Sequence, residues 1–466
     1  MLQPAVEQLA LIAVGKLSAL ELAEEHIAQI ERLNPELNAL VDFDADRVRL
    51  QARALDARGG PAGRLHGLPM TVKASIAVAG HRCETGSLVN VGYVPSEDAV
   101  VVGRMREAGA VVLGTSNCPE FLMAYETDNL LYGRTSNPWD LSRSAGGSSG
   151  GEAAAIAAGL SACGFGSDGG GSVREPAHFT GICALKPTPG RIPPGGHLPG
   201  CTGPFAILGA IGPMARTIAD VSLLFETLSG HDALDPNGAP RAFQHYSIED
   251  LKGIQIGFFE DDGLVPVTPE SRQAVQDAVR SLRAQGFRVE PYCPRALEEA
   301  RRLWWTLFVR CGAMMLGGVT KGHEALLSPT YRGFLDIAGQ QLPLTGDEVL
   351  QAWSDCDLVR SRLLEEMRSF PVLLSPVCSV PAFKHAERAW EVEGREVAYL
   401  DAMRYTQWSN LLGAPAAVVP VGCSSEGLPI GVQIAGRPYE DEIVLKIAGA
   451  VERDFGYRAP RLARHC

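Results

Sequence analysis

Two serines lie in glycine-rich runs of the sequence, and their setting is the strongest chemical signal in the chain. Ser148 lies within residues 144–152 (SAGGSSGGE), and Ser172 follows 24 positions later within residues 166–176 (GSDGGGSVREP). Glycine-rich backbone lets a substrate approach closely, because no side chains shield the peptide groups. A serine hydroxyl attacks a carbonyl only where a base takes its proton and donors stabilise the resulting oxyanion. The two runs therefore predict a nucleophilic serine site.

Consecutive N–H groups without large side chains suit an oxyanion hole or another anion-binding nest. We assign this role to Gly169, Gly170, Gly171 and Ser172. The candidate base is Lys73, because desolvation in the apolar segment 67–75 (GLPMTVKAS) would lower its pKa toward the range in which it accepts a proton. A lone lysine is more often at the surface, so its conjunction with the two runs favours this role. Histidines do not cluster nearby, and we interpret His178 as a packing residue.

Together these residues resemble the amidase signature family, whose triad is a serine, a second serine in a cis peptide, and a lysine. The matching positions are Ser172, Ser148 and Lys73. The resemblance covers nearly the whole chain. It includes motifs at residues 18–22, 37–39, 133–138, 181–188 and 427–433.

The resemblance implies a proton relay through an acyl-enzyme. Neutral Lys73 would take a proton from Ser148, which would take one from Ser172 as that hydroxyl attacks the carbonyl carbon. Ser148 would then return the proton to the leaving amine, and water would release the acyl group by the reverse relay. The family pattern implies that the cis peptide is Gly147–Ser148.

The resemblance also implies supporting residues. Orienting roles fall on Ser149, Asp168 and Arg174, and the acyl side of the pocket is bordered by Leu122, Met123 and Tyr125. Two positions depart from the family pattern. Gly169 stands where the family commonly has Thr or Ile, and Ala145 replaces a frequent Pro. Neither departure touches the triad, so we expect an active enzyme.

Two other motifs match the same region. Residues 146–150 also fit the Gly-x-Ser-x-Gly nucleophile elbow of α/β-hydrolases, which needs a strand immediately before it. Residues 137–145 are polar and contain Pro138 and Asp140, so we expect no strand there and disfavour the elbow. Residues 164–169 match a dinucleotide fingerprint, but no apolar helix start follows, and we interpret that match as chance.

The composition excludes several classes of partner. A net charge of −12 disfavours nucleic acid and anionic membranes, because both need concentrated Lys and Arg. The eleven cysteines include no Cys-x-x-Cys pair and no metal-site spacing, so we expect reduced thiols, a cytoplasmic setting, and neither a metal nor another cofactor. The N-terminus lacks the pattern of a signal peptide, and no stretch has 18 uninterrupted apolar residues.

The N-terminal helices are a candidate homodimer contact.

Local patterns predict the fold class. Apolar residues at helical spacing after Ser18 predict an amphipathic helix over 19–33, and residues 100–113 predict a helix that Gly109 ends before a buried strand. A further helix is predicted at 269–285, with strands at 254–258, 287–290, 372–376 and 416–420. This alternation predicts an α/β fold with a central mixed, twisted β-sheet covered by α-helices.

The signature motifs are spread across both halves of the chain, which predicts one large domain over residues 1–466. The catalytic core with the triad is predicted at 60–215. The motifs fade over 296–397, a variable segment that we expect to govern substrate choice.

Two further stretches bear on the pocket. Trp304, Trp305 and Phe308 recur at helical spacing, which favours a place in the core, while a place in the lining of the substrate cleft stays open. The Gly- and Pro-rich residues 193–200 predict an ordered loop near the active site, where such loops often shape a pocket mouth.

The leading hypothesis is hydrolysis of the carbon–nitrogen bond of a small or medium carboxamide. The apolar and aromatic residues of the variable segment favour aryl or alkyl amides over highly charged substrates. Esters, anilides and carbamates present the same acyl carbon, so a urethanase-like activity stays open.

Two alternatives are weighed against it. The glutaminase subunit of the tRNA-dependent amidotransferase belongs to the same family, in which an Asp three residues before the Thr of a Thr-x-x-x-Asn motif holds the glutamine amino group. Here that Thr is Thr406 and the matching position is Met403, which cannot pair with an ammonium. An inactive scaffold is disfavoured because all three triad positions are intact.

Overall fold

The computed structural model describes residues 3–58 and 60–463, and its central element is an eleven-stranded sheet. In chain order, the strands of this sheet are β1 Leu40–Phe43, β2 Pro69–Lys73, β3 Val111–Ser116, β6 Cys163–Asp168, β7 Cys183–Lys186, β8 Ala210–Ala215, β9 Gln255–Phe258, β10 Arg288–Pro291, β11 Val372–Pro376, β14 Ala416–Cys423 and β15 Pro429–Ala435. Two separate ribbons are formed by β4 Ser136–Asn137 with β5 Asp140–Ser144, and by β12 Ala389–Val392 with β13 Arg395–Ala398.

The helices are α1 Ala5–Ala13, α2 Ala19–Leu37, α3 Ala45–Asp56, α4 Val100–Glu107, α5 Gly150–Ala157, α6 Arg174–Thr180, α7 Pro204–Leu208, α8 Ile218–Leu228, α9 Ile248–Leu251, α10 Pro269–Ala284, α11 Leu297–Trp304, α12 Cys311–Thr320, α13 Pro329–Gly339, α14 Gly346–Glu366, α15 Tyr399–Ala402, α16 Gln407–Leu412 and α17 Asp441–Phe455. A π-helix, Trp305–Arg310, joins α11 to α12. Short 3-10 turns lie at Leu88–Asn90, Glu120–Leu122, Glu324–Leu326, Arg404–Thr406 and Arg461–Ala463.

The sheet is mixed, and its strand order is β1-β3-β2-β6-β8-β7-β14-β15-β11-β9-β10. Strand β2 runs parallel to both β3 and β6, whereas β6, β8, β7, β14 and β15 alternate in direction. Every residue of β2, β3 and β6 is buried, as expected for strands covered by helices on both faces. The predicted α/β fold with a helix-covered mixed sheet is confirmed.

The predicted elements form where their local signals lie. Ser18 caps α2 through a capping box with Glu21, and the helix runs four residues beyond its predicted end, to Leu37. Helix α4 ends at Glu107 and is followed by the buried strand β3. The predictions for α10, β9, β10, β11 and β14 are confirmed to within a few residues.

The expectation that no strand precedes residues 146–150 is wrong. Strand β5 ends at Ser144, and the Asn137 side-chain amide donates to the Ser144 carbonyl at 3.0 Å. This strand belongs to a two-stranded ribbon outside the central sheet, so the chain still differs from a nucleophile elbow, whose strand lies in the sheet. Polar side chains hold the ribbon, and hydrophobic periodicity therefore carries no signal for it.

The helical stretch Leu297–Thr320 is long and apolar enough to cross a membrane, by length and composition alone. A core helix of a soluble protein satisfies the same criterion, and 39% of its apolar window is buried here. Trp304 and Leu307 pack in the core cluster that also contains Trp408. The absence of a membrane partner stays a prediction.

Leu374 tests the packing of the sheet, because β11 lies between β9 and β15 and its side chain is 0% exposed. We expect Leu374→Ala to lower the free energy of unfolding by about 2–5 kcal/mol, since it leaves a cavity. Leu350→Ala, at a leucine 73% exposed, is the matched control and should change the free energy by less than about 0.5 kcal/mol. Urea denaturation measures both, and equal effects would contradict the assigned core.

Candidate active site

The topology brings the residues singled out in the sequence to the end of the sheet at which strands β2 and β6 terminate. Strands β2 and β6 are parallel neighbours, so their carboxyl ends lie together. Lys73 is the last residue of β2, and the loop with Ser172 follows β6. Ser148 lies just before α5, and the Ser149 N–H donates to the Ser172 carbonyl at 3.1 Å, which ties the two glycine-rich loops together. Open α/β sheets commonly bind ligands at the carboxyl ends of their strands.

Lys73 is fully buried and surrounded by serine hydroxyls. Its Nζ lies 2.6 Å from Ser148 Oγ, 3.0 Å from Ser149 Oγ and 3.3 Å from Ser167 Oγ. The Gly147–Ser148 peptide bond is cis, as predicted. The structure therefore brings the predicted base within hydrogen-bond distance of the predicted relay serine, and it adds Ser167, which sequence reasoning missed.

Burial shifts the protonation equilibrium of Lys73 toward the neutral amine. Burial lowers the pKa of Lys73 to about 8, although the nearby Cys118, Asp168 and Glu152 act in the opposite direction. Glu152 accepts hydrogen bonds from Thr71 and Ser116, and burial raises the pKa of its carboxyl to about 7. This shift toward the neutral carboxyl weakens the effect by which Glu152 favours the charged form of Lys73.

Side chains from other parts of the chain donate hydrogen bonds to the carbonyl groups of the loop after β6 and hold it in place. The Trp304 indole N–H donates to the Gly169 carbonyl at 2.7 Å. The hydroxyls of Tyr125 and Thr406 donate to the Gly170 carbonyl at 2.9 and 2.7 Å. These bonds fix the orientation of two consecutive peptide groups, which an oxyanion site requires.

The predicted oxyanion donors are not equivalent. The Gly171 N–H donates to Asp168 Oδ1 at 2.8 Å, so it is already engaged. Within the described part of the chain, the N–H groups of Gly169, Gly170 and Ser172 donate to no protein acceptor. These three groups, rather than all four, are free to meet a ligand.

A buried ion pair lies behind this loop. Arg174 contacts both Asp168 oxygens, at 3.0 Å from Nε and 2.8 Å from Nη2, and neither side chain is exposed. Burial alone raises the pKa of the Asp168 carboxyl, but the charge and hydrogen bonds of Arg174 hold it well below its usual range. The remaining guanidinium protons are accepted by Thr406, Ser409, Asn410 and Gln433. Sequence reasoning gave these acceptors no role, although the late Thr-x-x-x-Asn and 427–433 motifs contain three of them.

Two cavities meet at Ser172. The smaller is lined by Leu122, Met123, Ser148, Ser167, Asp168, Gly169, Ser172, His197, Pro199, Cys201, Phe205, Gly209, Ala210 and Phe308. The larger is lined by Leu122, Met123, Ala124, Tyr125, Gly170, Ser172, Trp304, Trp305, Phe308, Val309, Pro329, Thr330, Gly333, Phe334, Ile337, Arg388, Ala398, Tyr399 and Leu400. The predicted pocket residues Leu122 and Met123 face both cavities, and Tyr125 faces the larger one. Leu122 has a φ of +69°, which is strained for a leucine.

The variable segment supplies much of the larger cavity. Trp304, Trp305 and Phe308 line it and also pack on the core behind, so both places considered for them from the sequence are occupied. Phe308 explains the departure at Gly169, because a Cβ there would lie 2.3 Å from the Phe308 ring. Trp305–Arg310 is the π-helical turn, a form that is frequent at functional sites.

Two histidines differ from one another in role. His178 contacts the Gly431 N–H and the Val380 carbonyl, which fits its interpretation as a packing residue. His197 lines the smaller cavity, and sequence reasoning missed it. The available signal was the Gly- and Pro-rich loop 193–200, which the structure brings to this cavity.

The chain is similar to known proteins along most of its length. A profile of the family described as Amidase matches residues 21–445. The chain is 33% identical to an indoleacetamide hydrolase of Bradyrhizobium diazoefficiens, over 98% of this chain and 87% of the relative. It is 35% identical to an acylamidase of Rhodococcus erythropolis, over 96% and 94%. It is 33% identical to a glutamyl-tRNA(Gln) amidotransferase subunit of Roseiflexus castenholzii, over 97% and 96%.

The fold matches solved structures over its whole length. The structure of 6-aminohexanoate cyclic dimer hydrolase complexed with substrate superposes with a TM-score of 0.87 at 29% identity, covering 99% of each chain.

The pKa of Lys73 predicts a pH profile. If neutral Lys73 is the base, kcat/KM should rise about tenfold per pH unit below pH 8, where the lysine is mostly protonated, and level off above it. Initial rates on one amide between pH 5 and 10 measure this. Lys73→Arg, which stays charged throughout, should lack the activity at every pH, and a wild-type maximum near pH 5 would contradict the assignment.

Proposed function

The chain belongs to the amidase family, and from that premise we propose that it hydrolyses carboxamides with a bulky aryl or alkyl acyl group and a small leaving amine. In this proposal Ser172 is the nucleophile, Ser148 relays protons, and Lys73 is the base. The observation that carries it is the buried lysine 2.6 Å from Ser148 Oγ, on a cavity that Ser148 shares with Ser172.

The proposed reaction begins when neutral Lys73 takes the proton of Ser148, which takes the proton of Ser172 as its Oγ bonds to the acyl carbon. The carbonyl oxygen becomes an oxyanion near the free N–H groups of Gly169, Gly170 and Ser172. Ser148 then protonates the amide nitrogen, the carbon–nitrogen bond breaks, and the amine leaves. Water attacks the acyl-enzyme through the same relay, which releases the acid and restores Ser172.

The two cavities assign the two halves of the substrate. Ser148 lines the smaller cavity, and Gly170 lines the larger one. Because Ser148 gives its proton to the leaving nitrogen, the amine belongs in the smaller cavity. The acyl group then occupies the larger cavity, and the oxyanion loop lies between the two cavities, with Gly169 on the smaller one, Gly170 on the larger one and Ser172 on both.

The lining of the larger cavity indicates the acyl group. Most of its side chains are apolar or aromatic, and Arg388 is the one charged side chain among the described residues that line it. Arg388 also lies over the Tyr399 ring, at 4.8 Å from its centroid, and 3.4 Å from Glu126. An indoleacetamide hydrolase and an acylamidase are among the similar proteins, and indoleacetamide is an amide with a large aromatic acyl group.

A second candidate is the glutamine-hydrolysing component of an amidotransferase, because several relatives at 32–34% identity are named as an amidotransferase subunit. Glutamine brings an α-ammonium group, which needs an acceptor or a carboxylate. No carboxylate is found among the described residues lining the larger cavity, and Met403 is buried against Cys378 at 3.4 Å. These observations favour the apolar acyl group. Carbamates and esters with the same acyl size stay within the proposal.

Removal of the nucleophile tests the chemistry. We expect Ser172→Ala to lower amine release from an arylacetamide by at least about 10³-fold, since the triad acts as a unit. A serine-reactive fluorophosphonate should label wild type and not this variant, as peptide mass spectrometry would show. The control is Ser142→Ala, at an exposed serine. Labelling without turnover of any acyl substrate would favour an inactive scaffold and contradict the proposal.

A substrate panel separates the two candidate functions. Wild type should hydrolyse an arylacetamide with a kcat/KM at least about 100-fold above that for glutamine, because the ammonium of glutamine would be desolvated without a partner. Ammonia release is measured for both amides under one condition. A preference for glutamine, alone or with the other amidotransferase components added, would replace the proposal with the second candidate.

A further inference from the structure

The smaller cavity contains a histidine that the proposed relay does not use. His197 lines this cavity together with Ser148 and Ser172. Its backbone is fixed, because its N–H donates to the Pro194 carbonyl at 3.0 Å and it forms a β-bridge with Ile76. Ile76 lies three residues after Lys73, so the position of His197 is tied to the strand end that carries the proposed base.

The hydrogen bonds of the ring determine its tautomer. His197 Nδ1 lies 2.8 Å from the Pro199 carbonyl oxygen and 3.6 Å from Cys201 Sγ. A carbonyl oxygen can only accept, so Nδ1 carries a hydrogen. Burial lowers the pKa of His197 to about 4, with Lys73 acting in the same direction and the Pro199 bond opposing. The ring is therefore neutral at neutral pH, and Nε2 has a lone pair without a hydrogen.

This acceptor is unused by the protein. His197 is 9% exposed, and its Nε2 has no hydrogen-bond partner in the described part of the chain. A buried polar atom without a partner is unfavourable and is rare in folded proteins. Because His197 lines the cavity in which the proposed substrate reacts, a donor of the substrate is the group we consider for this atom. The donor that an amide offers on its amine side is its N–H.

We propose that His197 Nε2 accepts a hydrogen bond from the N–H of the scissile amide and thereby selects primary and secondary amides over tertiary amides and esters. The inference rests on the proposed function, in which the amine half lies in this cavity. It also has a stereochemical consequence. When the N–H points to His197, the nitrogen lone pair that forms on attack is left for the proton from Ser148.

Substrates with one acyl group and different leaving groups test the inference. We compare the primary amide, the N-methyl amide, the N,N-dimethyl amide and the methyl ester of one arylacetic acid. The variants are His197→Leu, which lacks an acceptor, and His197→Gln, whose amide oxygen can accept. The control is His245→Leu, at a histidine whose side chain is 78% exposed.

For His197→Leu we expect kcat/KM to fall about 10- to 100-fold on the primary and N-methyl amides, the loss typical of one hydrogen bond to substrate, and to change less than about 3-fold on the ester. His197→Gln should recover most of the amide activity. Equal losses on amides and ester, or no loss, would overturn the inference. If wild type turns over both the ester and the amide, and Ser172→Ala turns over neither, the proposed function stands and only this inference fails. If wild type turns over neither substrate, the proposed function itself fails.

A binding measurement covers the case in which His197→Leu does not fold. In Ser172→Ala protein with ¹⁵N-labelled histidine, the Nε2 resonance of His197 should shift when the primary amide is added. The N,N-dimethyl amide should bind without that shift, because it has no N–H. The same shift with both amides, or with neither at saturation, would overturn the inference.

Discussion

Desolvation of Lys73 is the constraint on which the rest of the site depends. The side chain ends a strand that is buried on both faces, so water does not stabilise its charge. Three serine hydroxyls surround Nζ in place of a carboxylate. Hydroxyls bond both the charged and the neutral amine, whereas a carboxylate would hold it charged. The fold thereby lowers the pKa of Lys73 while it keeps the side chain buried.

The charged groups behind the Ser172 loop are paired with one another. Arg174 and Asp168 form a buried pair that no solvent reaches, and a buried pair persists only when its remaining hydrogen bonds are satisfied. The partners that satisfy it come from α16 and β15, more than 200 residues away in sequence. This explains why signature motifs occur in both halves of the chain, since the late motifs complete the shell of the early loop.

The variable segment is joined to the same loop. Trp304 donates to the Gly169 carbonyl, while Phe308 occupies the space that a side chain at Gly169 would need. The residues that shape the larger cavity therefore also orient the peptide groups next to Ser172. A substitution in this segment is expected to alter both the fit of the acyl group and the geometry of the oxyanion donors.

The sequence by itself determined the candidate triad, the α/β class and most elements near their ends. These features are encoded locally, by glycine-rich runs, a capping serine at Ser18, and apolar runs such as 372–376. Only the tertiary structure decided the ribbon strand β5, the place of His197, and the cavity-facing role of Trp305. Each of these depends on contacts between residues far apart in the chain. Hydrophobic periodicity indicates which face of an element is buried, but it does not identify the neighbour, cavity or carbonyl group that this face contacts.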